Sequence, residues 1–223
     1  MNSEISSYPN TYLQIELDQG EQILTERGAM IFAQGDYSIR TKYEAKNLNS
    51  WILRIFDGKS FRYNIYQAKS KTSLVFTPDK NGELLKLDVS DSRSIIIEPS
   101  AHFARIGEVE LTMIKQSAFK IFWDGFKMRT RGNGELVLVG YGKIIEKVID
   151  SENEIWVDED YLLAYDESLD VRAVTRGVRE LVSSGEGFLY AIKGKGSIWL
   201  QTREESSMKS GGGIISSILG FFR

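Results

Sequence analysis

Apolar and polar residues alternate along most of this chain, in short runs separated by polar turns. In "SIWLQTR" at 197–203, Ile198, Leu200 and Thr202 occupy every second position. Side chains of a β-strand point alternately to its two faces, so this two-residue period is typical of half-buried strands. Only a small helical content is expected. The pattern therefore predicts an all-β fold.

Two glycine-rich segments repeat one order of features. Each has a strand, a Gly-x-Gly step and a second strand, and Gly132 and Gly134 lie 62 positions before Gly194 and Gly196. Glycine readily adopts the positive φ that tight turns require, so both steps are predicted to be hairpin turns. A cruder copy without the glycines lies at 60–78.

A second half accompanies each copy. The segments 13–33, 84–104 and 144–164 share a strand, a polar turn, a second strand and an apolar stretch that ends on alanine. A period of roughly 60 residues exceeds that of the common solenoids. We expect a single all-β domain over 1–205 with pseudo-threefold symmetry, built of units at about 13–78, 84–140 and 144–203.

Two apolar segments do not fit the strand pattern. They occupy equivalent places at 47–56 and 114–123, between the halves of the first two units. Periodicity does not distinguish a short helix from an apolar connector in segments of this length. Both alternatives stay open.

The C-terminal segment 206–223 differs from the rest of the chain. After "SGGG", apolar residues recur at helical spacing, as Ile214, Ile215, Ile218, Leu219 and Phe222. These residues are predicted to contact the domain itself, a neighbouring subunit or a membrane surface. A membrane-surface helix usually carries several cations, and this one has only Arg223.

Charge and composition narrow the choice of partners and compartment. The chain has 28 basic and 31 acidic residues, a net charge of −3 and no cysteine. An acidic balance argues against nucleic acid as a partner, and the absence of cysteine excludes disulfides and thiolate metal sites. The first residues show no signal-peptide pattern, so a cytoplasmic protein is expected, with peripheral membrane contact through the tail as a further expectation.

Residues that usually carry catalysis are scarce. The only histidine is His102, whose place in the repeat corresponds to Ile31 and predicts a structural role. The acidic residues of 158–170 do not follow the order of a calcium loop, and are interpreted as turn residues flanking buried Trp156 and Leu162. We therefore expect no enzymatic activity, no metal and no cofactor.

One strand carries a basic stripe. Lys127, Arg129 and Arg131 occupy alternate positions of "KMRTR" and are predicted to project from one face. The third unit lacks this stripe, so these residues are candidates for binding an anion or a partner. A solvated edge strand protected from aggregation by its charges is the alternative.

Four segments together suggest a family. "LDQGEQILTERGAMIFAQGDYSIRT", "SFRYNIYQAKSKTSLVFTP", "EDYLLAYDESLDV" and "GEGFLYAIKGKGSIWLQTR" resemble the family named for altered inheritance of mitochondria. That family comprises mitochondrial biogenesis proteins of eukaryotes and their bacterial and archaeal relatives. The resemblance covers about 13–203. The first two units depart from it, because Ser60 and Asp124-Gly125 replace the glycine-rich lead-in.

The resemblance has implications for fold and function. It implies a fold similar to that of the tryptophan-regulated RNA-binding attenuation protein, a short double-stranded β-helix prone to oligomerise. It supplies no catalytic motif. We expect a non-enzymatic binding or scaffold protein that acts as a homo-oligomer, linked to membrane organisation. The alternative is a small-molecule binder or enzyme with a pocket between the units.

Overall fold

The fold is built almost entirely of strands. The computed structural model describes residues 1–7, 11–43, 62–114, 127–174 and 189–204. Within these ranges the regular elements are fifteen strands and two single 3-10 turns, at Pro99–Ala101 and Glu159–Tyr161. The all-β fold expected from the alternation is confirmed.

The strands follow one another as β1 (Asn2–Ile5), β2 (Leu13–Leu17), β3 (Gln22–Glu26), β4 (Met30–Gln34), β5 (Tyr37–Tyr43), β6 (Arg62–Ala68), β7 (Thr72–Phe76), β8 (Leu84–Val89), β9 (Ile95–Ile97), β10 (His102–Met113), β11 (Met128–Val139), β12 (Ile144–Asp158), β13 (Leu162–Asp166), β14 (Asp170–Val174) and β15 (Leu189–Gln201).

Two antiparallel sheets contain these strands. The smaller has the order β1-β2-β7-β4. The larger has eleven strands, nine of them in the order β12-β15-β13-β9-β11-β10-β3-β6-β5, with β14 beside β15 and β8 beside β11. The larger sheet is not closed into a barrel: within the described ranges β12 pairs only with β15, and β5 only with β6.

Three apolar clusters form the core. The first joins the two sheets, and the ring of Tyr66 on β6 meets Phe76 on β7 edge to face at 5.1 Å between centroids. The second surrounds the buried Trp199 of β15. The third packs the inner side chains of β12 against β13 and β15. Burial is thus distributed along the chain, in keeping with the alternation of the sequence.

The Gly-x-Gly steps are not hairpin turns, contrary to the prediction. Gly132 and Gly134 lie inside β11, and Gly194 and Gly196 lie inside β15. All four have positive φ. A Cβ on Gly132 would overlap the carbonyl oxygen of Glu108 on the neighbouring strand. At Gly132 and Gly134 the absence of a side chain therefore lets the backbones of β10 and β11 lie close together.

One irregularity recurs in three strand pairs. The register shifts between Met30 and Phe32 where β4 meets β7, and between His102 and Ala104 where β10 meets β11. It shifts again between Leu162 and Ala164 where β13 meets β15. Met30, rather than Ile31, therefore corresponds to His102. These shifts accord with the expected units, whose threefold symmetry and domain limits stay predictions.

Several sequence-based expectations fall outside the described ranges. The segments 47–56 and 206–223 do so entirely, and 114–123 does so apart from Ile114. One interpretation was wrong: Trp156 is 47% exposed, because it lies on the edge strand β12. No helix in the described part of the chain has the length and apolarity required to cross a bilayer.

Candidate functional site

The edge strand β12 exposes apolar side chains. Val148 is 77% exposed, and Ile145 and Trp156 are also largely accessible. Among the described residues only β15 pairs with this strand, and no described strand lies along its other edge. A long apolar edge of this kind is a template for another strand.

The same strand is acidic. It carries five carboxylates against one lysine, Lys147; the acids are Glu146, Asp150, Glu152, Glu154 and Asp158. Two of them form ion pairs, Asp150 with Lys195 at 3.1 Å and Glu154 with Arg172, and Asp158 accepts a hydrogen bond from the backbone N–H of Asp160. The edge therefore combines exposed apolar groups with net negative charge.

The opposite edge of the sheet is basic. Strand β5 pairs only with β6 in the described part of the chain and carries Arg40 and Lys42 with no acidic residue. Both cations are exposed. Ile39, which directly precedes Arg40 on this strand, is 48% exposed. The two ends of one open sheet thus differ in the sign of their charge.

A polar cleft of about 360 Å³ lies between the second and third expected units. It is lined by seven residues of two loops and the end of β13, Asp91, Ser92, Arg93, Ser94, Asp166, Glu167 and Ser168. The first loop lies between β8 and β9, and the second follows β13. Backbone hydrogen bonds hold the loops together, since the N–H of Glu167 donates to the carbonyl of Ser94 at 3.0 Å.

Ion pairs fix the walls of this cleft. The Arg93 guanidinium donates to Asp166 at 3.1 Å and lies over the Trp199 ring, 5.6 Å from its centroid. Glu167 is paired with Arg129. Each of these carboxylates thus already has a guanidinium partner, and the cleft offers serine hydroxyls and a mixed set of charges to a ligand.

The basic stripe does not form one exposed face. Lys127 is buried, and its ammonium contacts the Glu98 carboxylate and the Tyr190 hydroxyl, the latter at 2.9 Å. Burial lowers the pKa of Lys127 to about 7, while the nearby Glu159 carboxylate acts in the opposite direction.

The other two residues of the stripe have different surroundings. Arg129 is half-buried at the cleft, and Arg131 is exposed, opposite Glu110 in the register of β10 and β11. Strand alternation predicted a shared face, but the burial of Lys127 beneath neighbouring elements removes it from the surface. Binding of an anion or partner by these three residues stays a prediction.

His102 is buried against Tyr63, with ring centroids 4.6 Å apart. Neither ring nitrogen has a hydrogen-bond partner in the described part of the structure. Burial, with a smaller effect of Arg105, holds the pKa of His102 well below its usual value of 6.5. A neutral, enclosed imidazole fits the structural role expected of it.

Other candidates fall away or lie elsewhere. Within the described ranges, no three acidic or histidine side chains are grouped to hold a metal ion. Tail residues Ile214, Ile215, Ile218, Leu219 and Phe222 lie outside those ranges.

Sequence reasoning missed the apolar edge of β12. The segment "IIEKVIDSENEIWVD" does carry a signal for it, because adjacent apolar residues such as Ile155 and Trp156 break the alternation.

Comparisons with known proteins give a relative and a solved structure. An uncharacterised protein of Streptococcus pyogenes serotype M6 is 21% identical over 201 residues, which cover 85% of this chain and 80% of the relative. A crystal structure of a Streptococcus pyogenes protein superposes with a TM-score of 0.73 at 18% identity, over 100% of this chain and 99% of the other. At this identity the superposition establishes a shared fold.

The family assignment rests on a match to a family model. The family described as mitochondrial biogenesis AIM24 aligns with residues 3–203, which include every strand from β2 to β15. This agrees with the resemblance carried by the four segments of the sequence. The chain belongs to the AIM24 mitochondrial biogenesis family.

Proposed function

We propose that this protein is a non-enzymatic scaffold that acts as a homo-oligomer, assembled through the open edges of its larger sheet. One observation carries the proposal. Both end strands of that sheet, β5 and β12, pair on one side only in the described part of the chain, and both expose apolar side chains.

An edge strand has unpaired backbone groups on its outer side. Its outward N–H and C=O groups can bond another strand, and exposed apolar side chains gain free energy when a neighbour covers them. Proteins that remain monomeric usually protect such edges with short strands, prolines or lysines. Strand β12 is fifteen residues long, has no proline and carries a single lysine, Lys147. Self-association satisfies this edge.

Light scattering coupled to size-exclusion chromatography tests the proposal. The full chain is expected to elute with a mass of several chains at micromolar concentration, and to dissociate on dilution. A mass of one chain throughout the micromolar range would overturn it.

The membrane link is a second part of the proposal. It is supported by the apolar spacing of 214–222 in the sequence. Flotation with liposomes should fall when residues 206–223 are deleted. Equal flotation of the full and shortened chains would remove this part. The likeness to the attenuation protein stays a prediction, and neither part depends on it.

A small-molecule binder is the alternative function. It is supported by the polar cleft of about 360 Å³, whose two loops come from different expected units. Serine hydroxyls and paired charges favour a small polar ligand over an apolar one. Native mass spectrometry of protein from its own host distinguishes the alternatives. A reproducible extra mass lost in an Arg93→Ala variant would support the binder, and bare oligomers would support the scaffold.

A further inference from the structure

We infer that the copies assemble head to tail, with strand β5 of one copy pairing with strand β12 of the next. The inference rests on the proposed function and names the partner of each edge. The β12 edge of each copy is thereby covered by the β5 edge of a neighbouring copy, and its β5 edge by the β12 edge of another.

Charge complementarity selects this pairing over the two symmetric ones. Strand β5 carries two cations and no acid, whereas β12 carries five acids and one lysine. Pairing β12 with another β12 would bring carboxylates into register with carboxylates, and pairing β5 with β5 would oppose cations. Opposite charges across neighbouring strands stabilise a sheet, and like charges destabilise it.

The apolar groups match as well. Ile39 on β5 and Val148 on β12 are among the most exposed large apolar side chains of the described chain. Both are β-branched, and such side chains pack well across neighbouring strands. Both edges thus combine exposed apolar side chains with charged residues of the same strand, which are cations on β5 and mostly carboxylates on β12.

Strand length fits the same arrangement. Strand β12 keeps a regular register with β15 from Ile144 to Ser151 and then shifts before Ile155. The regular part has room for the seven residues of β5. It also contains Val148. We therefore place the contact on residues 144–151, with the remaining carboxylates of β12 contributing to attraction over longer range.

Head-to-tail pairing determines which assemblies can form. A contact between two different surfaces is heterologous, so it generates a ring when the rotation closes and an open filament when it does not. In a ring or a filament, all copies have equivalent surroundings and therefore expose the same outer surface. A scaffold of this type offers many identical sites to its partners.

Two blocked variants test the inference. Arg40→Glu/Lys42→Glu reverses the charge of β5, and Glu146→Lys/Val148→Lys reverses that of β12's regular part. Each alone is expected to lose assembly, with an apparent Kd raised by at least about tenfold. All four side chains are exposed, so folding should be retained, which circular dichroism checks. Lys71→Glu, an exposed charge reversal outside both strands, is the matched control and should assemble normally.

Mixing the two blocked variants is the decisive step. Each variant keeps one native edge, so the mixture is expected to regain assemblies that contain both proteins in equal amounts. If one blocked variant assembles like the wild type, or if mixing restores nothing, the inference is overturned while self-association stands. A monomeric wild type would instead overturn the proposed function. If a double variant fails to fold, Arg40→Gln/Lys42→Gln and Val148→Ser provide weaker blocks for the same measurements.

Discussion

The carboxylate of Asp166 accepts a hydrogen bond from the backbone N–H of Ser197, 2.7 Å from nitrogen to Oδ2. Its other oxygen accepts from the Arg93 guanidinium at 3.1 Å. Asp166 belongs to β13 and Ser197 to β15, so one buried side chain joins a neighbouring strand to the loop that precedes β9.

Asp166→Ala is expected to destabilise the protein by about 2 to 3 kcal/mol, because it leaves a buried N–H and a guanidinium without their acceptor. Urea unfolding at neutral pH measures this change. The matched control is Asp170→Ala, which removes an exposed ion pair with Lys193 outside the proposed contact and should change stability by no more than about 0.5 kcal/mol. Equal losses in the two variants would contradict the role given to Asp166.

Two glycines with nearly equal φ separate conformational strain from steric overlap. Gly20 has φ +90°, and a methyl group there would have nothing within 4 Å, whereas at Gly132, with φ +88°, it would overlap the Glu108 carbonyl oxygen. Gly20→Ala should cost about 1 kcal/mol. Gly132→Ala should cost about 2 to 4 kcal/mol, because β10 and β11 must also move apart.

Thermal or urea unfolding of both alanine variants measures the difference. The Gly20 variant serves as the control, since it carries the same backbone strain without the contact. A Gly132 variant no less stable than the Gly20 variant would show that the two strands yield without cost at this point.

These glycines also show how far sequence reasoning reaches. The two Gly-x-Gly steps, at Gly132 and Gly194, do have the positive φ that their sequence suggested, and alternation around Trp199 identified β15 as a strand. Glycine with positive φ occurs both in hairpin turns and at irregular points inside a long strand, so the residue type alone does not distinguish the two. Strand pairing decides between them, because β11 stays continuous from Met128 to Val139 beside β10.

The candidate edges were less accessible to sequence reasoning than the core. Local alternation predicts which face of a strand is buried, but the place of a strand in the sheet depends on long-range pairing. Arg40 and Glu146 lie at opposite ends of an eleven-stranded sheet, and no local pattern orders its strands. Lys127 illustrates the same limit, since its burial arises from contacts with Glu98 and Tyr190.

His102 predicts a loss of stability in acid. Its folded pKa lies well below 6.5, so below about pH 6.5 the unfolded chain binds a proton that the folded chain does not. The stability contributed by this residue should therefore decrease as the pH falls below about 6.5.

A His102→Met variant tests this, because Met30 fills the corresponding place at the register shift of β4. Urea unfolding of both proteins between pH 6.5 and pH 5 should show that the free energy of unfolding falls less steeply with decreasing pH in the variant than in the wild type. A parallel pH dependence in the two proteins would mean that His102 becomes protonated without unfolding.

The lowered pKa of Lys127 predicts that the stability of the protein depends on pH above pH 7. Its pKa is about 7 in the folded protein and about 10.5 in the unfolded chain, so between these values the unfolded chain binds more protons. The stability contributed by this group should thus increase as the pH rises above 7. A gain of about 2 to 3 kcal/mol is expected between pH 7 and pH 9, relative to a Lys127→Met variant that has no proton to release.

Urea unfolding of the wild type and Lys127→Met at both pH values measures this gain. Subtracting the variant removes the titrations that the two proteins share, including the tyrosines. A difference that stays constant with pH would show that the Glu98 carboxylate keeps the ammonium charged in the fold. In that case, removing the lysine should destabilise the protein at both pH values, because Glu98 and Tyr190 would lose the ammonium between them.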